Sequence, residues 1–119
     1  MERKPVIYLV GAPSTTTKVS AALGDNVEII VHNGLPGIIQ DFQANQERLS
    51  AIIIEGAVDE ITSWCETASY VRIMGEMSPV LPIIAIGVTT EELMEAGANY
   101  EVVANGPGIA EVLQQALTA

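Results

Sequence analysis

Pro5-Val6-Ile7-Tyr8-Leu9-Val10-Gly11, Ser50-Ala51-Ile52-Ile53-Ile54-Glu55-Gly56 and Leu81-Pro82-Ile83-Ile84-Ala85-Ile86-Gly87 share one grammar, a short aliphatic run closed by glycine. Such runs lack the polar alternation of a half-exposed strand and suit strands buried on both faces, as in a parallel sheet covered by helices. Two weaker runs, Asn26 to Val31 and Tyr100 to Ala104, carry charges at Glu28 and Glu101 and read as outer strands.

Helical patterns fill the intervals. Ile109, Val112, Leu113, Ala116 and Leu117 recur at i, i+3, i+4, i+7 and i+8, which predicts a terminal amphipathic helix with Pro107 near its first turn. Leu35, Ile38, Ile39 and Phe42 repeat the pattern. So do Val58, Ile61, Cys65 and Ala68, with Asp59 and Glu60 where a helix N-terminus favours acids. Ser14 is placed to cap a helix from Thr15 to Leu23 that Gly24 stops, and Thr89 with Glu92 has capping-box spacing before a short helix ended by Gly97. Five βα units with short connections and right-handed crossovers give an α/β, flavodoxin-like three-layer sandwich, its parallel sheet ordered 2-1-3-4-5. A site belongs at the carboxyl ends of strands one and three, at Gly11-Ala12 and Glu55-Gly56.

Composition bounds the function. The 119 residues read as one domain spanning 1–119, and at 49% hydrophobic and 17% charged the chain is too apolar for disorder. Five Lys and Arg against 15 Asp and Glu give a formal charge of −10, which repels a phosphate backbone, so no direct nucleic-acid binding is expected. A single Cys and a single His exclude an internal disulfide and a Cys/His zinc site. No run approaches the ~18 apolar residues of a membrane span, and a cytoplasmic location is expected.

Laid out this way, the chain resembles the receiver domain of bacterial two-component response regulators over nearly its whole length. Ala96-Gly97-Ala98-Asn99 followed by Tyr100 to Val103 is similar to the Ala-Gly-Ala stretch leading into a receiver's last strand, and Leu81-Pro82-Ile83-Ile84 looks like its fourth. The resemblance implies phosphoryl transfer from a histidine kinase to an aspartate, with acids after strand one holding Mg²⁺ and a hydroxyl and a lysine receiving phosphate oxygens. The chain departs from that pattern at each place. The acid pair falls on Gly11 and Ala12, the acceptor on Glu55, the switch hydroxyl on Gly87 and the lysine on Ala104, with Asn105 in place of the customary proline. Glu55 is one methylene too long, which displaces an attacking oxygen by more than about 1 Å. The stretch from Gly87 to Gly97 is shorter than usual, and Glu101 stands at the aromatic switch position. The resemblance therefore implies a pseudo-receiver that is not an enzyme, needs no cofactor or metal, and works through a protein partner or a homodimer. Glu101, Ile109, Val112 and Leu113 are its candidate contact residues, and Glu111, Gln114 and Gln115 lie on the opposite side of the last helix.

Each remaining feature has an ordinary reading beside its functional one. Glu55 is a standing phosphate mimic, a ligand- or partner-binding carboxylate, or a solvated acid at a strand end. Ser14, Thr15, Thr16, Thr17 and Lys18, between a strand and a helix, suit an anion or nucleotide in a small-molecule sensor or enzyme, or serve only as helix caps. The loop is not a Walker motif, because Thr16 and Thr17 occupy the places of its second glycine and lysine. His32, placed after strand two with no acid beside it in the pattern, reads as a loop histidine more readily than as a proton carrier. Cys65 reads as helix packing, the methionines as core filling, and Gly34-Leu35-Pro36-Gly37 as a turn with Pro near the first helical position.

Overall fold

The computed structural model describes residues 4–34, 36–56, 64–88, 90–103 and 105–118, with the side chains of Trp64 and Cys65 left aside. Five parallel strands, β1 (Val6–Gly11), β2 (Glu28–Asn33), β3 (Ala51–Gly56), β4 (Ile83–Gly87) and β5 (Tyr100–Glu101), form one sheet in the order β2-β1-β3-β4-β5. Register pairs Leu9 with both Val31 and Ile53, and Ile53 with Ile84. The expected flavodoxin-like topology is the observed one.

The continuous aliphatic runs are continuous because alternate residues feed two cores. Tyr8, Val10, Ile52, Ile54, Ile83 and Ala85 point to the face covered by α2 (Ile38–Asn45), α3 (Trp64–Met77) and α4 (Thr90–Ala96), where they meet Phe42, Val71, Met74 and Leu93. Ile7, Leu9, Ala51, Ile53, Ile84 and Ile86 point the other way, to Val19, Leu23, Val112, Leu113 and Ala116 of α1 (Pro13–Leu23) and α5 (Ile109–Thr118). Each fully buried aliphatic side chain contributes about 1.5–3 kcal/mol through removal from water. No helix of the described residues is long and apolar enough to cross a membrane.

Several boundaries differ from the sequence reading. Helix α1 begins at Pro13, with Ala12 as its N-cap and no side-chain cap, so Ser14 lies inside the helix and does not cap it. Proline fits there because the first helical N–H has no intrahelical acceptor to lose. Strand β2 is shifted: Gly24–Asn26 close a 3-10 turn, pairing starts at Val6 with Glu28, and His32 lies within the strand instead of after it. Strand β5 is only Tyr100–Glu101; it has one neighbour, and Val102 N–H still reaches Ala85 O at 3.0 Å before the chain leaves. Pro36 and Pro107 precede their helices by two residues instead of opening them. Gly24 and Gly97 follow α1 and α4 in positive φ, as expected of helix stops. Leu35, Val58, Asp59, Glu60, Ile61, Thr89 and Ala104 lie outside the described residues, as does the packing of Cys65.

Candidate functional site at the carboxyl ends of the strands

Parallel strands deliver the tips of β1, β3 and β4 to one edge of the sheet, where α1 also begins. Glu55, the penultimate residue of β3, is half-buried there. Its Oε1 accepts a 2.9 Å hydrogen bond from Ala12 N–H and its Oε2 a 2.6 Å bond from the Thr15 hydroxyl. Both donors belong to the start of α1, whose dipole favours a carboxylate.

Glycine on either side makes room for this side chain. A Cβ on Gly11 would stand 3.1 Å from Glu55 Oε1, and one on Gly87 would stand 3.1 Å from Glu55 Cγ and 3.2 Å from Gly56 O. Gly87 also has φ +94°, where a side chain is strained whatever the space. Glycine at positions 11 and 87 and glutamate at position 55 are thus one packing solution. Glutamate lies in a slot that two glycines leave open and turns back onto the helix start.

The loop hydroxyls have internal partners. The hydroxyl of buried Thr16 is shared between Pro13 O at 3.1 Å and Asn33 Oδ1 at 3.2 Å, and Thr17 donates to Pro13 O at 2.9 Å. Ser14 and Lys18 are exposed. At the helix start, Ala12 N–H and the Thr15 hydroxyl are taken up by the protein's own Glu55 side chain. Neither the cap reading of Thr15 nor the purely solvated reading of Glu55 describes this geometry, since the two residues hold each other.

A receiver's magnesium does not fit these residues. Gly11 and Ala12 supply no side-chain oxygen to a cation that demands several, and both Glu55 oxygens already accept hydrogen bonds. Among the described residues no group of three or more His, Cys, Asp and Glu is placed to hold a metal ion.

Two contact residues require correction. Val112 and Leu113 are buried in the core beneath α5, so they support that surface from within and do not present it. Ile109 and Glu101 are half-buried, and Glu111, Gln114 and Gln115 are exposed.

The structure also gives His32 the acid that its sequence neighbourhood lacked. Its Nδ1 lies 3.1 Å from Asp41 Oδ2 and its Nε2 2.8 Å from Pro36 O. The Tyr8 hydroxyl is within 3.2 Å of both Asp41 Oδ2 and Ile38 O. Burial, and then the adjacent Asp41 charge, push the Tyr8 phenol well above its ordinary range. One signal pointed there: Ile38, Asp41, Phe42 and Asn45 are spaced three and four apart, which puts Asp41 on the sheet-facing stripe of α2.

No protein-family model matches the chain, and no curated protein matches it. Solved structures do. A response regulator from Thermotoga maritima is 15% identical, with 98% of this chain and all of that one covered and a TM-score of 0.76. A candidate pilus assembly-related protein from Burkholderia pseudomallei is 14% identical, covering 99% of this chain and 94% of that one, also at 0.76. The receiver domain of a sensor histidine kinase from Pseudomonas aeruginosa, with a magnesium ion in its active-site cleft, is 19% identical over 98% and 96%, at 0.69. The fold is that of response-regulator receiver domains.

Proposed function

We propose that the chain is a pseudo-receiver, a non-catalytic domain that acts in signal transduction or regulation by binding another protein independently of phosphorylation. The carrying observation is the closed contact of Glu55 with Ala12 N–H and Thr15 Oγ1 in the slot bounded by Gly11 and Gly87. A nucleophilic carboxylate needs a free oxygen in line with the phosphorus and a cation to gather the phosphate oxygens. Here both oxygens are engaged, and no second carboxylate stands at Gly11 or Ala12. The receiver fold supports a role in signalling, because receivers act through surfaces that other proteins read. The surface favoured for that role comprises α4, β5 and the outer side of α5.

The test is titration with beryllofluoride and Mg²⁺, and separately with acetyl phosphate, followed by amide NMR. The expected outcome is no saturable shift at Gly11, Glu55 or Gly87. A saturable shift centred on these residues, or a mass increase of one phosphoryl group on Glu55, overturns the reading.

A further inference from the structure

We infer that β2, the open edge of the sheet, pairs antiparallel with β2 of a second copy of this chain, centred on Val31, so that two five-stranded sheets become one. This goes beyond the proposed function and does not depend on it.

The two margins of the sheet are built differently. At one, β5 is two residues long. At the other, β2 runs for six, Glu28-Ile29-Ile30-Val31-His32-Asn33, in unbroken register with β1 and without proline, lysine or bulge. Those devices, with short length and charge, are what keep an edge from pairing, and β2 has only Glu28, at its first position. Glu28 N–H donates to Pro5 O at 2.8 Å and Gly34 N–H to Gly11 O at 3.4 Å. Successive residues of a strand turn their main-chain groups to opposite edges, so Ile30 and His32 also face β1. The N–H and C=O of Ile29, Val31 and Asn33 therefore face outward, and no described residue partners them. Val31 is 43% exposed at the middle of this row, whereas its β1 neighbour Leu9 is fully buried.

A row of unpaired main-chain groups takes another strand, and symmetry and charge select a copy of the same one. With Val31 opposite Val31, Ile29 falls opposite Asn33 in both directions, so each outward residue meets an outward residue and exchanges hydrogen bonds with it. A chain of formal charge −10 meets its own copy only where carboxylates are few or matched. Residues 13–45, from α1 through β2 to α2, hold three of the fifteen acids, Asp25, Glu28 and Asp41, and α1 holds none. The ion pairs among the described residues, His32 with Asp41 and Arg48 with Glu28, both lie on β2 and match two of the three. In this register the two Glu28 residues stand at opposite ends of the joint, roughly 20 Å apart, each opposite Gly34.

The test is sedimentation velocity on the full chain from about 1 μM to about 1 mM in about 0.15 M NaCl, with amide hydrogen exchange followed by NMR at both ends of that range. A concentration-dependent dimer is expected. In it the amides of Ile29, Val31 and Asn33 gain protection, while those of Ile30 and His32, which face β1, are protected at both concentrations. Added salt should tighten the dimer, because screening relieves repulsion and no ion pair between copies is lost. Val31→Pro removes the central N–H, which has no partner within one copy, and should raise the dissociation constant at least about tenfold with the monomer still folded by circular dichroism. Should that variant fail to fold, Val31→Lys sets like charges face to face at the centre and should weaken the dimer as much. A monomer across the whole range overturns the inference, as does a dimer that neither variant weakens or one whose new protection falls on α4, β5 or α5. A monomer that takes up an extended peptide along β2 overturns it too, in favour of strand addition by a partner.

Discussion

Glu55 illustrates how a single side chain resets its surroundings. Its replacement by alanine strips Ala12 N–H and the Thr15 hydroxyl of their acceptor at a half-buried helix start, and an expected loss of about 1–3 kcal/mol should be read from urea unfolding. Gly87→Ala should cost a similar ~1–3 kcal/mol, since the new Cβ meets Glu55 and the Gly56 carbonyl at φ +94°. The double variant with Glu55→Ala should cost less than the sum, because one of the two clashes is gone. Tyr8 gives a pH prediction. The folded state holds its phenol proton above the ordinary range while the unfolded chain releases it near pH ~10, so this contribution is intact below that pH and falls as pH rises further. Tyr8→Phe should flatten that alkaline decline in a series of unfolding curves. The residues of the site were legible by position from strand endings alone, but their partners were not. Nothing in the spacing of Thr15 and Glu55, 40 positions apart, shows that one will hold the other; that contact depends on two glycines leaving the slot empty.

The central strands were readable as elements because each must satisfy two cores at once, and a run such as Ile52-Ile53-Ile54 has no other economical use. Edges were less readable. Strand β2 slid toward its carboxyl end because the turn at Gly24–Asn26 took up Asn26, the first residue of the run read as extended, and β5 ended early because one neighbour supplies little ladder to hold it. The start of α1 was misplaced for a related reason: proline supplied the helix start where a serine cap was the stronger pattern. Helix α5 has the clearest amphipathic spacing, and its boundary differs from expectation only at the proline. Leu113→Ala should therefore destabilise by about 2–5 kcal/mol in chemical denaturation, whereas Gln114→Ala and Gln115→Ala on the exposed side should stay within about 0.5 kcal/mol.

Across the whole molecule, the excess of ten negative charges is a standing internal repulsion that ordinary salt screens over about 8–10 Å. Raising NaCl from near zero to about 0.15 M should lift the thermal midpoint by a few degrees, and a Glu91→Lys, Glu95→Lys variant should show a smaller lift. The two cores, one on each side of the sheet, touch the same strands, so unfolding should remain one cooperative transition for both aromatic and far-ultraviolet probes. The brevity of β5 matters for what happens when many copies meet. An outermost strand of two residues, one of them a carboxylate, offers too little bare backbone to template the growth of a fibril, so a crowded solution of this chain has no ready starting point for stacking at that margin.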